Sequence, residues 1–242
     1  GAGSGGSGGG GRGGGCGGGV GQGGGWGGGD GAGAADNLNF LVYEDTLIEE
    51  HISGIPGDEF IENMLPNCTE PEKAQIAKEF VKFNERCMIR LLGDMRSYNY
   101  VIVPTHDFDH VVYSIRAIDF DQQSYEGKFN VYRPQFFKEN FKMVDLVTEK
   151  FEKQSVSQYK LEERSIVAKR LLSFKNRVGR LIQCMASDTL STPEHETLLK
   201  TKIFEYTGDI RFKKSKNMGE ILKNSLSFVK RNYQTENTGI FF

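Results

Sequence analysis

The chain has 242 residues, and 23 of its 31 glycines fall in positions 1–33, so two polymers of different composition are joined. With 30 Lys and Arg against 32 Asp and Glu, neither a polybasic nucleic-acid tail nor an acidic disordered chain describes the whole. From Asp36 onward only 8 glycines occur, and that part is long enough for one medium domain with a single core.

The opening tract interrupts glycine with Ser4, Ser7, Arg12, Cys16, Val20, Gln22, Trp26 and Asp30 and has almost nothing to bury. Glycine also loses the most backbone entropy on ordering, so residues 1–35 are expected to form a disordered low-complexity segment. G-x-G-x-x-G matches at Gly1, Gly3 and Gly6 and again at Gly9, Gly11 and Gly14. A phosphate-cradling loop needs a strand or helix on its flanks to aim the backbone N–H groups, and neither is present.

Residues 39–53 read as extended, one or two strands and a turn, before Gly54, Pro56 and Gly57 break the chain. Thr69 and Glu72 have the spacing of a capping box. Ile76, Phe80, Phe83, Cys87 and Leu91 follow at helical spacing, predicting a helix over 70–92 with Gly93 as its stop. Tyr100–Val103 and Val111–Ile118 are β-branched runs joined by Pro104–His110, which predicts an antiparallel hairpin. Helical patterns then recur around 135–151, 158–186, 193–207 and 217–231, with Thr192 and Pro193 opening the third and Gly208 closing it. The expected class is α+β, mostly α.

Charge is uneven along the domain. Residues 36–149 carry 11 basic and 21 acidic side chains, and residues 150–242 carry 18 and 10. An acidic front half suits a cation site or a solvated face. Cys16, Cys68, Cys87 and Cys184 lack paired-ligand spacing and read as reduced thiols of a cytoplasmic protein. No apolar run approaches the roughly 20 residues needed to span a bilayer, so no membrane partner is expected.

Between the helix and the hairpin lies Leu92-Gly93-Asp94-Met95-Arg96-Ser97-Tyr98-Asn99, and the second strand ends in Ile118-Asp119-Phe120-Asp121. An Asp, an Asn five residues later, a strand pair and an Ile-Asp-Phe triplet resemble the catalytic loop and metal motif of the protein-kinase-like superfamily. The Gly-Asp opening looks more like its small-molecule and atypical members. The same spacing at Asp58 and Asn63 has no strand after it. The resemblance implies a hinge and large lobe over residues 36–242 and phosphoryl transfer from ATP with Mg²⁺ to a hydroxyl-bearing small molecule or protein. By it, Asp94 would orient or deprotonate the acceptor and Arg96 would lie against the transferred group. Asn99, Asp119 and Asp121 would hold the metal through oxygen. Leu47–Ile55 looks like an inter-lobe hinge, with backbone near Glu50 and Ile52 meeting adenine; an edge strand without a ligand fits the same residues.

The chain departs from that family upstream. The strand-borne lysine of the small lobe has no counterpart, because no Lys precedes Lys73, and Arg12 is the only basic residue before it. A fragment with its small lobe replaced by low-complexity sequence, a non-catalytic pseudokinase, and a small lobe supplied by another chain are the three readings. Among rivals, His106-Asp107-Phe108-Asp109-His110 would alternate imidazoles and carboxylates across an extended strand, which suits a polar hairpin tip better than one metal site. Arg211–Lys216 with Lys223, Lys230 and Arg231 lacks the aromatic interleaving of a nucleic-acid platform.

Overall fold

A computed structural model describes residues 40–43, 46–49, 52–108, 110–120, 127–187 and 191–238, all within the unit Asp36–Phe242. The expected tail over 1–35 lies outside them. Helices dominate, with a small three-stranded antiparallel sheet, so the fold is α+β and mostly α.

The extended stretch divides into β1 (Phe40–Tyr43) and β2 (Thr46–Glu49), an antiparallel pair of its own. The short β3 (Ile55–Pro56) joins the larger sheet and leads into one helical turn, α1 (Gly57–Glu59), which widens into a π turn over Phe60–Met64. A Cβ at Gly57 would stand 2.2 Å from the Tyr100 ring and 2.4 Å from the Ser97 carbonyl oxygen. Only glycine lets this turn press so closely on the segment that follows α2.

Helix α2 (Glu70–Arg90) opens as its sequence predicts: a Glu72 carboxylate oxygen accepts both the Thr69 N–H and the Thr69 hydroxyl at 2.7 Å. Its end differs from expectation. Leu91, at φ 51°, makes the left-handed cap before Gly93 is reached, and the Leu92 N–H donates to Cys87 O at 2.9 Å. Burial of Leu91 and Leu92 at 1 % exposure offsets the strain of a non-glycine residue there.

The hairpin extends further than its sequence suggests. β4 (Tyr100–Asp107) pairs with β5 (His110–Ala117) from Tyr100 opposite Ala117 to Asp107 opposite His110, so Pro104 lies within a strand and not in the connection. The reason is visible on the far side of β5. Gln75 Oε1 accepts the Tyr113 N–H at 3.0 Å and Gln75 Nε2 donates to Tyr113 O at 2.9 Å. Tyr113 therefore spends no ladder bond on Pro104 opposite it, and the missing proline N–H costs the sheet nothing. Glu79 accepts the Ile115 N–H at 3.2 Å and Arg86 donates to Ile115 O at 3.1 Å. Three polar side chains of α2 thus complete the outer edge of β5.

After the hairpin, short turns over 129–140 precede α3 (Phe141–Lys150), so the helix expected from 135 starts later. The long pattern over 158–186 is two helices, α4 (Lys153–Ser173) and α5 (Lys175–Ser187), broken at Phe174. Periodicity does not mark the break, because Leu171 and Val178 are seven residues apart and stay in phase across it. α6 (Pro193–Thr207) has the Thr192 cap, its hydroxyl accepting the His195 N–H at 3.3 Å, and stops at Gly208 with φ 71°. α7 (Ile210–Lys213) and α8 (Met218–Thr238) complete the bundle.

Two apolar clusters flank α2. Phe80, Phe83, Tyr100, Ile102, Tyr113, Ile115 and Met143 form one beside the sheet; Ile89, Leu91, Tyr132, Leu171, Leu199, Ile221 and Val229 form the other among the helices. Where α2 meets α4, consecutive Glu-Arg pairs face each other reciprocally. Arg164 donates to Glu85 at 2.6 Å, and Arg86 lies 3.3 Å from Glu163. Both glutamates are 2 % exposed. Burial raises the Glu163 carboxyl above its ordinary range in spite of the opposing pull of Arg86.

Candidate functional site

The loop that leaves α2 is held by its own backbone and by the segment after the hairpin. Asp94 sits in the left-handed region at φ 55°, which Asp tolerates better than most residues. Its N–H donates to Val131 O at 3.0 Å. Its carbonyl accepts the Arg96 N–H at 2.7 Å and Asn99 Nδ2 at 2.8 Å. The five-residue spacing of Asp94 and Asn99 therefore has a local job: the Asn side chain spans the bend and fixes it. With Nδ2 committed, Asn99 Oδ1 is left without a partner among the described residues, a hard oxygen at a nearly buried position.

Arg96 faces both sides of this bend. Its Nε donates to Asp94 Oδ1 at 3.0 Å and its Nη1 to Glu139 Oε1 at 3.0 Å, while the guanidinium stacks 5.0 Å from the Phe137 ring centroid. The Asp94 bond is the main cause that raises the Arg96 pKa. Glu139 is lowered, first by its own backbone N–H and further by Arg96.

Asp119 arrives from the other end of the hairpin. The Ile118 N–H donates to Asn99 O at 3.1 Å, continuing the ladder one step beyond Tyr100 opposite Ala117. This brings the chain at Asp119 beside the chain at Asn99. Asp119 is half-buried and has contacts of its own. Asp94, Arg96 and Asn99 are thus joined directly, and Asp119 is joined to them through the strand register.

The remaining expected site residues stand apart. Glu50 and Asp121 lie outside the described residues. Ile52 is half-buried in the stretch before β3, two residues before Gly54, where an added Cβ would come within 2.9 Å of Val101. His106 is exposed, in register with Val111, and Phe108 is fully exposed at the hairpin tip with φ 52°. Among the described residues no group of three or more His, Cys, Asp or Glu side chains is placed to hold a metal ion. Also among them, no helix is long and apolar enough to cross a membrane.

Sequence reasoning missed Glu139 and Asn140. Asn140 directly precedes α3 in the structure, yet its side chain makes no capping bond. Fully buried, it accepts the Tyr100 hydroxyl at 2.9 Å and donates through Nδ2 to Met95 O and Pro134 O, both at 2.9 Å. One side chain thereby ties the Asp94 loop, the start of β4 and the 129–140 segment together. The helical pattern expected over 135–151 places it within a helix, and no local signal marks it as a link between segments. Compared with family models, curated proteins and solved structures, the chain matches none of them.

Proposed function

We propose that residues 36–242 form the hinge and large lobe of a kinase-like domain, and that its chemistry is transfer of a phosphoryl group from ATP to a hydroxyl acceptor. The observation that carries this reading is the order of parts: a long helix, a bend fixed by Asp94 and Asn99, a hairpin, and Asp119 returned beside Asn99 through the Ile118–Asn99 bond. Phosphoryl transfer needs positioning and charge neutralisation more than covalent chemistry, so a rigid acidic bend with a second carboxylate beside it suits the task.

In this reading Asn99 Oδ1 and Asp119 are the protein oxygens for Mg²⁺, with Asp121 as a third candidate. Asn99 fits that role because its nitrogen is already bonded to Asp94 O. A bound Mg²⁺ would neutralise phosphate charge there. Asp94 would accept the hydrogen of the acceptor hydroxyl, and Arg96 would turn from Asp94 toward the transferred group. Glu50 and Ile52 remain the proposed adenine-side backbone, and the acceptor is a small molecule or a protein hydroxyl.

Calorimetric titration of the full chain with a non-hydrolysable ATP analogue tests the proposal. Binding should require Mg²⁺ and disappear in Asp119→Ala. Wild type that takes up no analogue with Mg²⁺ present would end the catalytic reading. A non-catalytic, pseudokinase-type interaction module is the second reading, favoured by the Arg96–Asp94 pair that occupies the candidate base. Analogue binding without any turnover of ATP, with or without acceptors, would select it.

A further inference from the structure

Eight arginines of the described residues are half-buried, and seven have carboxylates or other partners of their own. Arg86, Arg96, Arg164 and Arg211 each bind a carboxylate within 3.0 Å. Arg90, Arg116 and Arg170 make further contacts. Arg133 is the exception: among the described residues its guanidinium has aromatic rings around it and no ion pair. It lies 4.5 Å from the Phe136 ring centroid, 5.2 Å from Tyr206 and 5.5 Å from Phe129. The carboxylate charge felt there is that of Glu85, and Glu85 is already engaged by Arg164 at 2.6 Å. Burial accordingly lowers the Arg133 pKa.

A partly desolvated cation without a counter-charge is costly, and stacked rings cover the faces of a guanidinium and leave its N–H edge free. That edge matches the oxygens of a phosphate or carboxylate two at a time. Phe136 and Tyr206 are 48 % and 43 % exposed, so a planar group carried by the ligand has ring surface to lie on. We infer that Arg133, with Phe129, Phe136 and Tyr206 around it, is the recognition side chain for an oxyanion, with a ring-bearing phosphate monoester as the fullest match. The site does not depend on phosphoryl transfer by Asp94: anion binding at Arg133 is measurable whether or not the chain binds ATP.

The test is a titration of the isotope-labelled full chain with phenyl phosphate, inorganic phosphate and acetate, each against sodium chloride of equal ionic strength, following the Arg133 Nε–H resonance. Phenyl phosphate should move that resonance and bind more tightly than inorganic phosphate. Arg133→Gln should weaken binding roughly tenfold or more, the scale of a lost hydrogen bond to a charged group. Arg133→Lys, which keeps the charge but not the fork, should fall between the two. An Arg133 resonance unmoved by either phosphate, or moved equally by chloride, overturns the inference. So does equal binding by wild type and Arg133→Gln, and acetate binding alone overturns the assignment to phosphate.

Discussion

The two flanks of α2 are held by different means. Toward the sheet, polar side chains of the helix and of the 129–140 segment bond to backbone: Gln75, Glu79 and Arg86 to β5, Asn84 to the Gln135 N–H at 2.8 Å, Asn140 to Met95 and Pro134. Toward the bundle, apolar packing around Leu199, Ile221 and Val229 is joined by side chain-to-side chain ion pairs with α4, and few side chains there bond to backbone. Hydrogen bonds are directional and apolar contact is not, and the flank that carries the Asp94 bend is the one held by side chain-to-backbone bonds.

The widest separation of the two flanks is expected from Asn140→Leu. It leaves the Tyr100 hydroxyl and two carbonyls without their partner and should cost roughly 3–4 kcal/mol in urea unfolding. It should also speed hydrogen exchange at Asp94 and Asn99. Ile221→Ala should cost about 3 kcal/mol through its cavity while leaving that local exchange near the wild-type rate. If both substitutions loosen the bend alike, the distinction between the flanks fails.

Gly57→Ala is next, at about 2 kcal/mol, because the added methyl meets the Tyr100 ring and the Ser97 carbonyl. Its effect should concentrate at the bend. The smallest effect is a pH dependence on the buried ion crossing. Glu163 has its pKa raised on folding, so the folded state holds that proton more tightly than the unfolded chain does. Its contribution to stability is then fully present below the ordinary glutamate pKa and is lost as pH rises through the raised one. The stability of wild type relative to Glu163→Gln should therefore fall from pH 4 to pH 7 in paired urea titrations. A flat difference would remove Glu163 from the account.

Much of this was readable from residue order. The Thr69–Glu72 box, the Thr192–Gly208 helix and the hairpin runs carry local signals whose physics is local as well. Asp94 and Asn99 were legible as a pair because their link spans five residues. What escaped depended on distant partners. Pro104 looked like a loop because the bonds that free Tyr113 come from Gln75, 38 residues earlier. Asn140 fell inside the helix expected over 135–151, and the partner that gives it another role, Met95, lies 45 residues before it. Phe174 breaks a helix whose apolar phase runs straight through, and no nearby residue announces it. Arg133 escaped because its lack of an ion pair among the described residues is a matter of distant side chains, which residue order does not show.

The helix-sealed edge of β5 also bears on how copies of this molecule meet. A free strand margin invites a second chain to pair with it and so to seed aggregates. On this sheet one margin is consumed by Gln75, Glu79 and Arg86. The other, along β4, is covered by β3 at Val101 and Ile102 and interrupted by Pro104 just beyond. Among the described residues, strand-to-strand adhesion along this three-stranded sheet therefore has no continuous margin to start from, and Gln75→Ala with Pro104→Val would supply one on each side.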